Sequence, residues 1–187
     1  MVVQSEDWVT NTEAAVNKAA DLLRECGFAY LDNFYSPATV RAYRAAYEDF
    51  KRSDPRANEF LYPCQGRGRV EHMLPFASPF NDTLALHGDP RLHRVLLAFL
   101  RNSFKLELIT VINSPPDSGE QRWHQVGPYL PPFDQSPSPV PQGWRYLFHP
   151  EERLPPYAVV VGVPLADVSV DMGPTQAGDT QGVTPRG

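Results

Sequence analysis

The prolines of this chain are the sequence feature that most restricts its fold. Twenty of the 187 residues are proline, and a cluster of them lies between residues 126 and 145. Proline fixes φ and has no backbone N–H to donate, so it is excluded from the central strands of a sheet. We therefore expect residues 126–145 not to form a central strand.

A short motif directly before this segment has half the pattern of an iron site. The motif reads Gln121-Arg122-Trp123-His124. Non-heme Fe(II) oxygenases hold their metal with two imidazoles and one carboxylate. A His-x-Asp pair on a strand offers two of these ligands, because residues i and i+2 point to the same side. The i+2 residue here is Val126, which cannot bind a metal, so His124 is the candidate ligand that remains, with a loop histidine as the alternative.

The motif is one of several distinctive stretches that follow each other along the chain. In order, they are Gly27–Tyr35, Arg69–Phe76, Ser114–Pro116, Gln121–Gln125, Pro155–Val159 and Met172–Thr175. Together they resemble the phytanoyl-CoA dioxygenase family from about Cys26 to Gln176. The resemblance implies Fe(II), 2-oxoglutarate and O2 as reactants of an oxidoreductase that hydroxylates a small organic or acyl substrate. It also implies a double-stranded β-helix, or jelly roll, with N-terminal helices.

The same resemblance implies that His124 is a metal ligand, and it directs attention to two nearby polar residues. Gln121 is close to His124 in sequence and is a candidate for the cofactor pocket, with an exposed loop residue as the alternative. Ser114 precedes two prolines and is a candidate contact for the co-substrate, with a turn hydroxyl as the alternative. We assign no residue a catalytic role.

The sequence departs from the family pattern at two places. Val126 stands where the family has its carboxylate ligand, and the resemblance resumes only at Tyr146, which implies that residues 126–145 are an inserted, proline-rich segment. Residues 177–187 offer neither the distal histidine nor the arginine that clamps 2-oxoglutarate, and Arg186 is a poor substitute for that bidentate clamp. We therefore expect residues 1–187 to form a single, incomplete domain with a disordered tail at 177–187, and we expect it to be inactive as written. An unspliced or wrongly joined coding sequence is our hypothesis for both departures.

Three classes of function are compatible with these observations. The first is an active Fe(II)- and 2-oxoglutarate-dependent dioxygenase. The second is a non-catalytic fragment or binding module, which the count of iron ligands favours. The third and least supported is a halogenase-like variant, because Val126 is bulkier than the Ala or Gly that such chemistry uses. The substrate and the oligomeric state are left open.

Charge and cysteine content indicate which binding partners and which cellular compartment to expect for this chain. The net charge is −5 and the pI is near 5.5, so there is no basic field to attract nucleic acid or an anionic membrane. Cys26 and Cys64 do not form a disulfide framework. Residues 1–10 lack the pattern of a signal peptide, and no apolar run is long enough to span a membrane. We expect an intracellular, cytoplasmic protein whose partner is a small-molecule substrate.

The periodicity of apolar residues predicts helices first and strands later. Helices are expected over Glu13–Glu25 with a cap at Asn11 or Thr12, from Ser36-Pro37 onward, and over Pro90–Leu100. Strands are expected at Phe28–Leu31, Lys105–Ile112 and Tyr157–Val163. Helices followed by strands predict an α+β domain with a jelly-roll core, which this chain completes only in part.

The remaining histidines and one charged pair have less specific interpretations. His72 is interpreted as a satisfied histidine at a pocket edge, with metal ligation as the alternative, and His87 and His93 as surface residues. Arg69 and Glu71 are expected to form either an ion pair over the cofactor pocket or a solvated pair on a loop.

Overall fold

The computed structural model describes residues 1–58, 61–63, 68–101, 104–121 and 158–175. It contains an α+β mix of four α-helices and five short strands in these ranges. The helices are α1 (Ser5–Thr10), α2 (Thr12–Cys26), α3 (Pro37–Ser53) and α4 (Pro90–Leu100). The strands are β1 (Val2–Val3), β2 (Tyr30–Leu31), β3 (Leu61–Pro63), β4 (Val70–Met73) and β5 (Thr110–Asn113).

The three predicted helices form where their capping residues place them. The Asn11 side chain accepts a hydrogen bond from the Ala14 N–H at 3.1 Å, and α2 ends at Gly27 in the left-handed conformation with φ of 78°. Ser36 caps α3 in the same way, with Pro37 in its first turn. Asp89 caps α4, which spans the predicted residues. Helix α1 and strand β1 were not predicted.

Helices α2 and α4 pack on each other and form most of a first hydrophobic core. We call it the helical cluster, and its buried residues are Val3, Trp8, Ala15, Val16, Ala19, Phe34, Leu92 and Val95. Two contacts at the surface join the same helices: Arg94 pairs with Glu13, and Arg24 donates to the carbonyl of Ala98. Strand β1 adds Val3 to this core by pairing in parallel with β2, in the register Val2↔Tyr30 and Val3↔Leu31.

Helix α3 packs against the other sheet and forms a second core. We call it the sheet-side cluster, and its buried residues are Tyr43, Tyr47, Phe50, Ala57, Leu74 and Phe80. The sheet has the antiparallel order β3-β4-β5, with His72 of β4 opposite Leu61 and Val111. Because side chains alternate along a strand, His72 is buried while Ile112 on β5 points to the other face and is 56 % exposed.

All three predicted strands differ from the structure. Of Phe28–Leu31, only Tyr30–Leu31 forms a strand, which is β2. Of Lys105–Ile112, only residues 110–112 lie in β5. One further backbone bond beyond β4 and β5 runs from the Leu74 N–H to the Ile109 carbonyl at 2.8 Å. Residues 158–163 are β-branched but not in a strand, and Val160 is 62 % exposed. Strand propensity does not by itself supply a hydrogen-bonding partner.

The chain divides into two compact units, Met1–Gln121 with Gly162–Gly187, and Arg122–Val161. Both hydrophobic clusters belong to the first unit. The described residues form sheets of two and three strands, and they do not form a closed jelly roll. The predicted insert at 126–145 and the predicted tail at 177–187 lie outside the described residues.

Candidate functional site

The ends of β4 and β5 bring Arg69 next to a tight turn. Val70 pairs with Asn113, so Arg69 just before β4 lies beside Ser114 just after β5. The Arg69 Nε–H donates to the Ser114 hydroxyl at 2.9 Å. Its Nη2 donates to the Ser118 hydroxyl at 3.2 Å and to the Gly119 carbonyl at 2.9 Å. One guanidinium therefore contacts both ends of residues 114–119, which we call the Arg69 turn.

The backbone of the Arg69 turn explains why its sequence is rich in proline, glycine and small polar residues. Asp117 and Gly119 have positive φ values of 62° and 76°, and the Ser118 N–H donates to the Pro115 carbonyl at 3.3 Å. Gly68 has φ of 68°, and a Cβ there would lie 3.3 Å from Pro115 Cγ. The approach of the two segments thus depends on a glycine at position 68.

Of the residues predicted for cofactor and metal binding, Ser114 and Gln121 lie within the described residues and His124 lies outside them. Ser114 is a turn hydroxyl that accepts a hydrogen bond from Arg69, in line with the alternative given for it above. Gln121 is exposed at the end of the same segment. The candidate ligand His124, and with it Val126, lies outside the described residues. Their roles in binding stay predictions.

His72 has a hydrogen-bonding partner that the sequence did not reveal. Its Nδ1 lies 2.5 Å from the Tyr47 hydroxyl, and both residues are buried. Burial raises the pKa of Tyr47 to about 12, so the hydroxyl is protonated at neutral pH and forms a hydrogen bond with Nδ1. Burial and the nearby Lys51 lower the pKa of His72, although Glu48 acts in the opposite direction. The interpretation of His72 as a satisfied histidine agrees with this geometry.

The other described histidines are also engaged in local contacts. His93 Nε2 lies 2.8 Å from the His87 carbonyl, and the His93 ring packs edge-on against Phe104. Across the ranges that the structure describes, no group of three or more His, Cys, Asp or Glu side chains is arranged to hold a metal ion. An Fe(II) centre needs two imidazoles and a carboxylate on one face. The described donor set does not fit such a centre.

An open cleft of about 560 Å³ lies between residues 33–39 and residues 82–91. Two polar side chains of the cleft form hydrogen bonds within the protein. Tyr35 donates to the Leu86 carbonyl at 2.7 Å, and Arg91 donates to Asp89 and to the Phe34 carbonyl. The Arg91 guanidinium also lies 4.2 Å from the centre of the Phe34 ring. These contacts join the residues that precede α3 to the start of α4 and to the segment before it, which gives the polar groups of the cleft a structural role.

Comparison with known protein families identifies the family of this chain. A model of the family described as phytanoyl-CoA dioxygenase (PhyH) matches residues 23–177. The chain belongs to the phytanoyl-CoA dioxygenase family. The stretches quoted above, from Gly27–Tyr35 to Met172–Thr175, all lie within the matched residues. The prediction of the family from these stretches is confirmed.

Membership places the chain among oxygenases that generally depend on Fe(II) and 2-oxoglutarate. Neither a curated protein nor a solved structure matches it. Among the helices of the described ranges, none has the combination of length and apolar character that a membrane crossing requires.

Proposed function

We propose that this chain retains the framework of an Fe(II)- and 2-oxoglutarate-dependent oxygenase without a complete metal centre, and that as written it does not hydroxylate a substrate. The observation that carries the proposal is the identity of residue 126. A valine at the position of the carboxylate leaves His124 with no second ligand from the same motif. A facial triad binds Fe(II) through three side chains, and one imidazole does not replace them.

The described part of the molecule supports this proposal through its donor set. His72 forms a hydrogen bond with Tyr47, and His93 contacts the His87 carbonyl. Within the segments described, these histidines are therefore committed to structural contacts and do not form a replacement triad. In the proposal, His124 is the residual metal-binding position, and Ser114 and Gln121 are contacts for the co-substrate.

The proposal includes the architecture around these residues. We infer that β3, β4 and β5 belong to a partial double-stranded β-helix within a single, incomplete domain. Two observations support this: the three strands are antiparallel, and helix α3 covers only one of their faces. A jelly roll covers the other face with a second sheet, and Ile112 on that face is 56 % exposed.

A non-catalytic binding role is the alternative that the ligand count favours. In that case a small molecule binds without turnover. This role and the proposed incomplete centre both differ from an active oxygenase in a measurable way, because turnover by a member of this family converts 2-oxoglutarate to succinate. Binding alone leaves 2-oxoglutarate intact.

The test is a measurement of succinate formation coupled to O2 uptake after anaerobic loading with Fe(II) and 2-oxoglutarate. We expect the rate to equal that of free iron, and the His124→Ala variant to give the same rate. Val126→Asp is expected to restore little activity, since it supplies two ligands of three beside proline-rich sequence. A rate above that of free iron, lost in His124→Ala, would contradict the proposal.

A variant lacking residues 126–145 tests the interpretation of these residues as an insert. We expect it to keep the melting temperature of the intact chain, because an inserted segment is not needed for the two hydrophobic clusters formed by the described residues. A lower melting temperature would show that the segment is an integral part of the fold.

A further inference from the structure

Residues 105–108 are exposed at the edge of the three-stranded sheet, and we call them the edge segment. They precede Ile109 and β5, which is an outer strand in the order β3-β4-β5. In the part of the chain that the structure describes, their backbone forms no hydrogen bond. Leu106 and Leu108 are 43 % and 45 % exposed. Unpaired backbone beside a sheet edge is a place where another strand can add.

The neighbouring Ile109 indicates which backbone groups of the edge segment face outward. Along a strand, the N–H and C=O groups of successive residues point to opposite edges. The Ile109 carbonyl points to β4, where it accepts from the Leu74 N–H at 2.8 Å. When the edge segment continues β5 as a strand, the backbone groups of Leu106 and Leu108 therefore point away from β4. They are available to a strand that adds at the outer edge.

The charges of the edge segment are complementary to those of a second copy in one register. Lys105 and Glu107 are exposed and flank Leu106. When two copies pair antiparallel with Leu106 opposite Leu106, each Lys105 lies opposite Glu107 of the other copy. A shift by two residues places Lys105 opposite Lys105, or Glu107 opposite Glu107. Opposite charges across a pair of strands are stabilising and like charges are destabilising, so charge selects one register.

The same register also pairs the backbone and the leucine side chains. Each Leu106 N–H donates to the Leu106 carbonyl of the other copy, as in a hydrogen-bonded pair of an antiparallel ladder. Ile109 and Val111 pack on the sheet-side cluster, so by alternation the Leu106 side chains meet on the opposite face of the sheet. Charges at an edge commonly keep strands apart. A cation and an anion placed symmetrically about Leu106 instead attract a second copy.

We propose that two copies of this chain associate through their edge segments, in an antiparallel pairing centred on Leu106 that joins the two three-stranded sheets into one. The pairing has two-fold symmetry, so each copy contributes the same residues and the assembly closes at two copies. Few residues are buried, so the dimer is weak and its population depends on concentration. The association does not depend on a metal centre or on the proposed function.

Sedimentation velocity of the intact chain, at micromolar to submillimolar concentrations, tests the association. We expect the mass to rise with concentration from 21.0 kDa toward twice that value, and the amides of Leu106 and Leu108 to gain protection from exchange in parallel. A constant 21.0 kDa would overturn the proposal, and slow exchange of both amides in that monomer would show that another segment of the same chain covers the edge. Growth beyond two copies would overturn it as well.

Charge variants test the register. Lys105→Glu and Glu107→Lys each place like charges opposite each other at two positions of the pairing. We expect each variant to weaken self-association by about tenfold or more. An equal mixture of the two variants forms a heterodimer in which both charge pairs are attractive. The double variant Lys105→Glu/Glu107→Lys is expected to associate with itself again.

The matched control is Arg44→Glu, which changes the net charge by the same amount as Lys105→Glu. Arg44 is exposed on α3, and we expect this variant to associate like the intact chain. Lys105→Gln removes the attraction without adding repulsion, so it gives a smaller loss and keeps the test possible if Lys105→Glu does not fold. Undiminished self-association of folded Lys105→Glu, or no association in the mixture of Lys105→Glu and Glu107→Lys, would contradict the proposed pairing.

Discussion

Two valines show how differently parts of this chain fold. Val16 in the helical cluster is 3 % exposed, whereas Val160 is 62 % exposed and lies outside any strand. A helix satisfies its backbone hydrogen bonds internally and needs only one apolar face to be covered. A strand needs a neighbour for its backbone as well as a cover for its side chains. Apolar, β-branched sequence thus leads to a packed core only where such a neighbour is present.

The largest expected effect tests the sheet-side cluster, in which α3 packs against the three-stranded sheet. Phe80 is 1 % exposed and contacts the rings of Tyr43 and Phe50, with centroid distances of 5.4 Å and 6.0 Å. We expect Phe80→Ala to lower the free energy of unfolding by about 3–5 kcal/mol. Denaturant unfolding measures it, with Phe76→Ala as the control because Phe76 is 55 % exposed. Equal effects of the two variants would mean that this core is not formed.

The corresponding test of the helical cluster uses overpacking. Ala19 on α2 is fully buried between the helices. We expect Ala19→Leu to lower the free energy of unfolding by about 1–3 kcal/mol, because the larger side chain has no space in a packed core. Ala38→Leu on the exposed side of α3 is the control and is expected to be nearly neutral. A neutral Ala19→Leu would indicate that α2 and α4 pack loosely.

Two glycines allow the helical and strand regions to be compared at the level of the backbone. Gly27 and Gly68 both have positive φ, but an added Cβ meets nothing within 4 Å at Gly27 and meets Pro115 Cγ at 3.3 Å at Gly68. Both alanine variants lose about 1–2 kcal/mol through the left-handed conformation. We expect Gly68→Ala to lose more, as measured by thermal unfolding. A smaller loss at Gly68 would show that the Arg69 turn moves away easily.

The smallest expected effect concerns pH and the buried His72. Its folded-state pKa is lowered, so the unfolded state binds the proton more readily. Stability is then fully present above the unfolded value of about 6.5 and is lost as the pH falls from there toward the folded pKa. The slope contributed by one proton is at most about 1.4 kcal/mol per pH unit. We expect His72→Asn to reduce the slope of unfolding free energy against pH below pH 6.5. Identical slopes for His72→Asn and the intact chain would contradict this.

Local sequence signals predicted the helices because each signal lies within the element that it specifies. Asn11, Ser36 and Gly27 act within one turn of their own helix end. The limits of β5 depend on its pairing with β4, which lies about 40 residues earlier in the chain, so the sequence of β5 alone suggested a longer strand. No local pattern marked Val70–Met73 as the central strand of a sheet.

In the candidate site, too, local sequence signals were recognised, whereas contacts between distant residues were not. Ser114 and Gln121 were identified from their place in short motifs. The roles of Arg69 and Tyr47 were not, because Arg69 bonds to residues 45 to 50 positions away and Tyr47 bonds to His72 at a separation of 25. Such pairs follow from the pairing of β4 with β5 and from the packing of α3. One sequence contains no direct signal for either.

The parallel pairing of β1 with β2 has a practical consequence for handling the protein. Val3 is fully buried, the Met1 carbonyl accepts from the Tyr30 N–H at 3.2 Å, and the Val3 carbonyl accepts from the Asp32 N–H at 2.9 Å. Deletion or replacement of residues 1–3 removes a core side chain and two backbone hydrogen bonds together. Affinity tags and reporter fusions that alter residues 1–3 are therefore expected to change the fold of the protein to which they are attached.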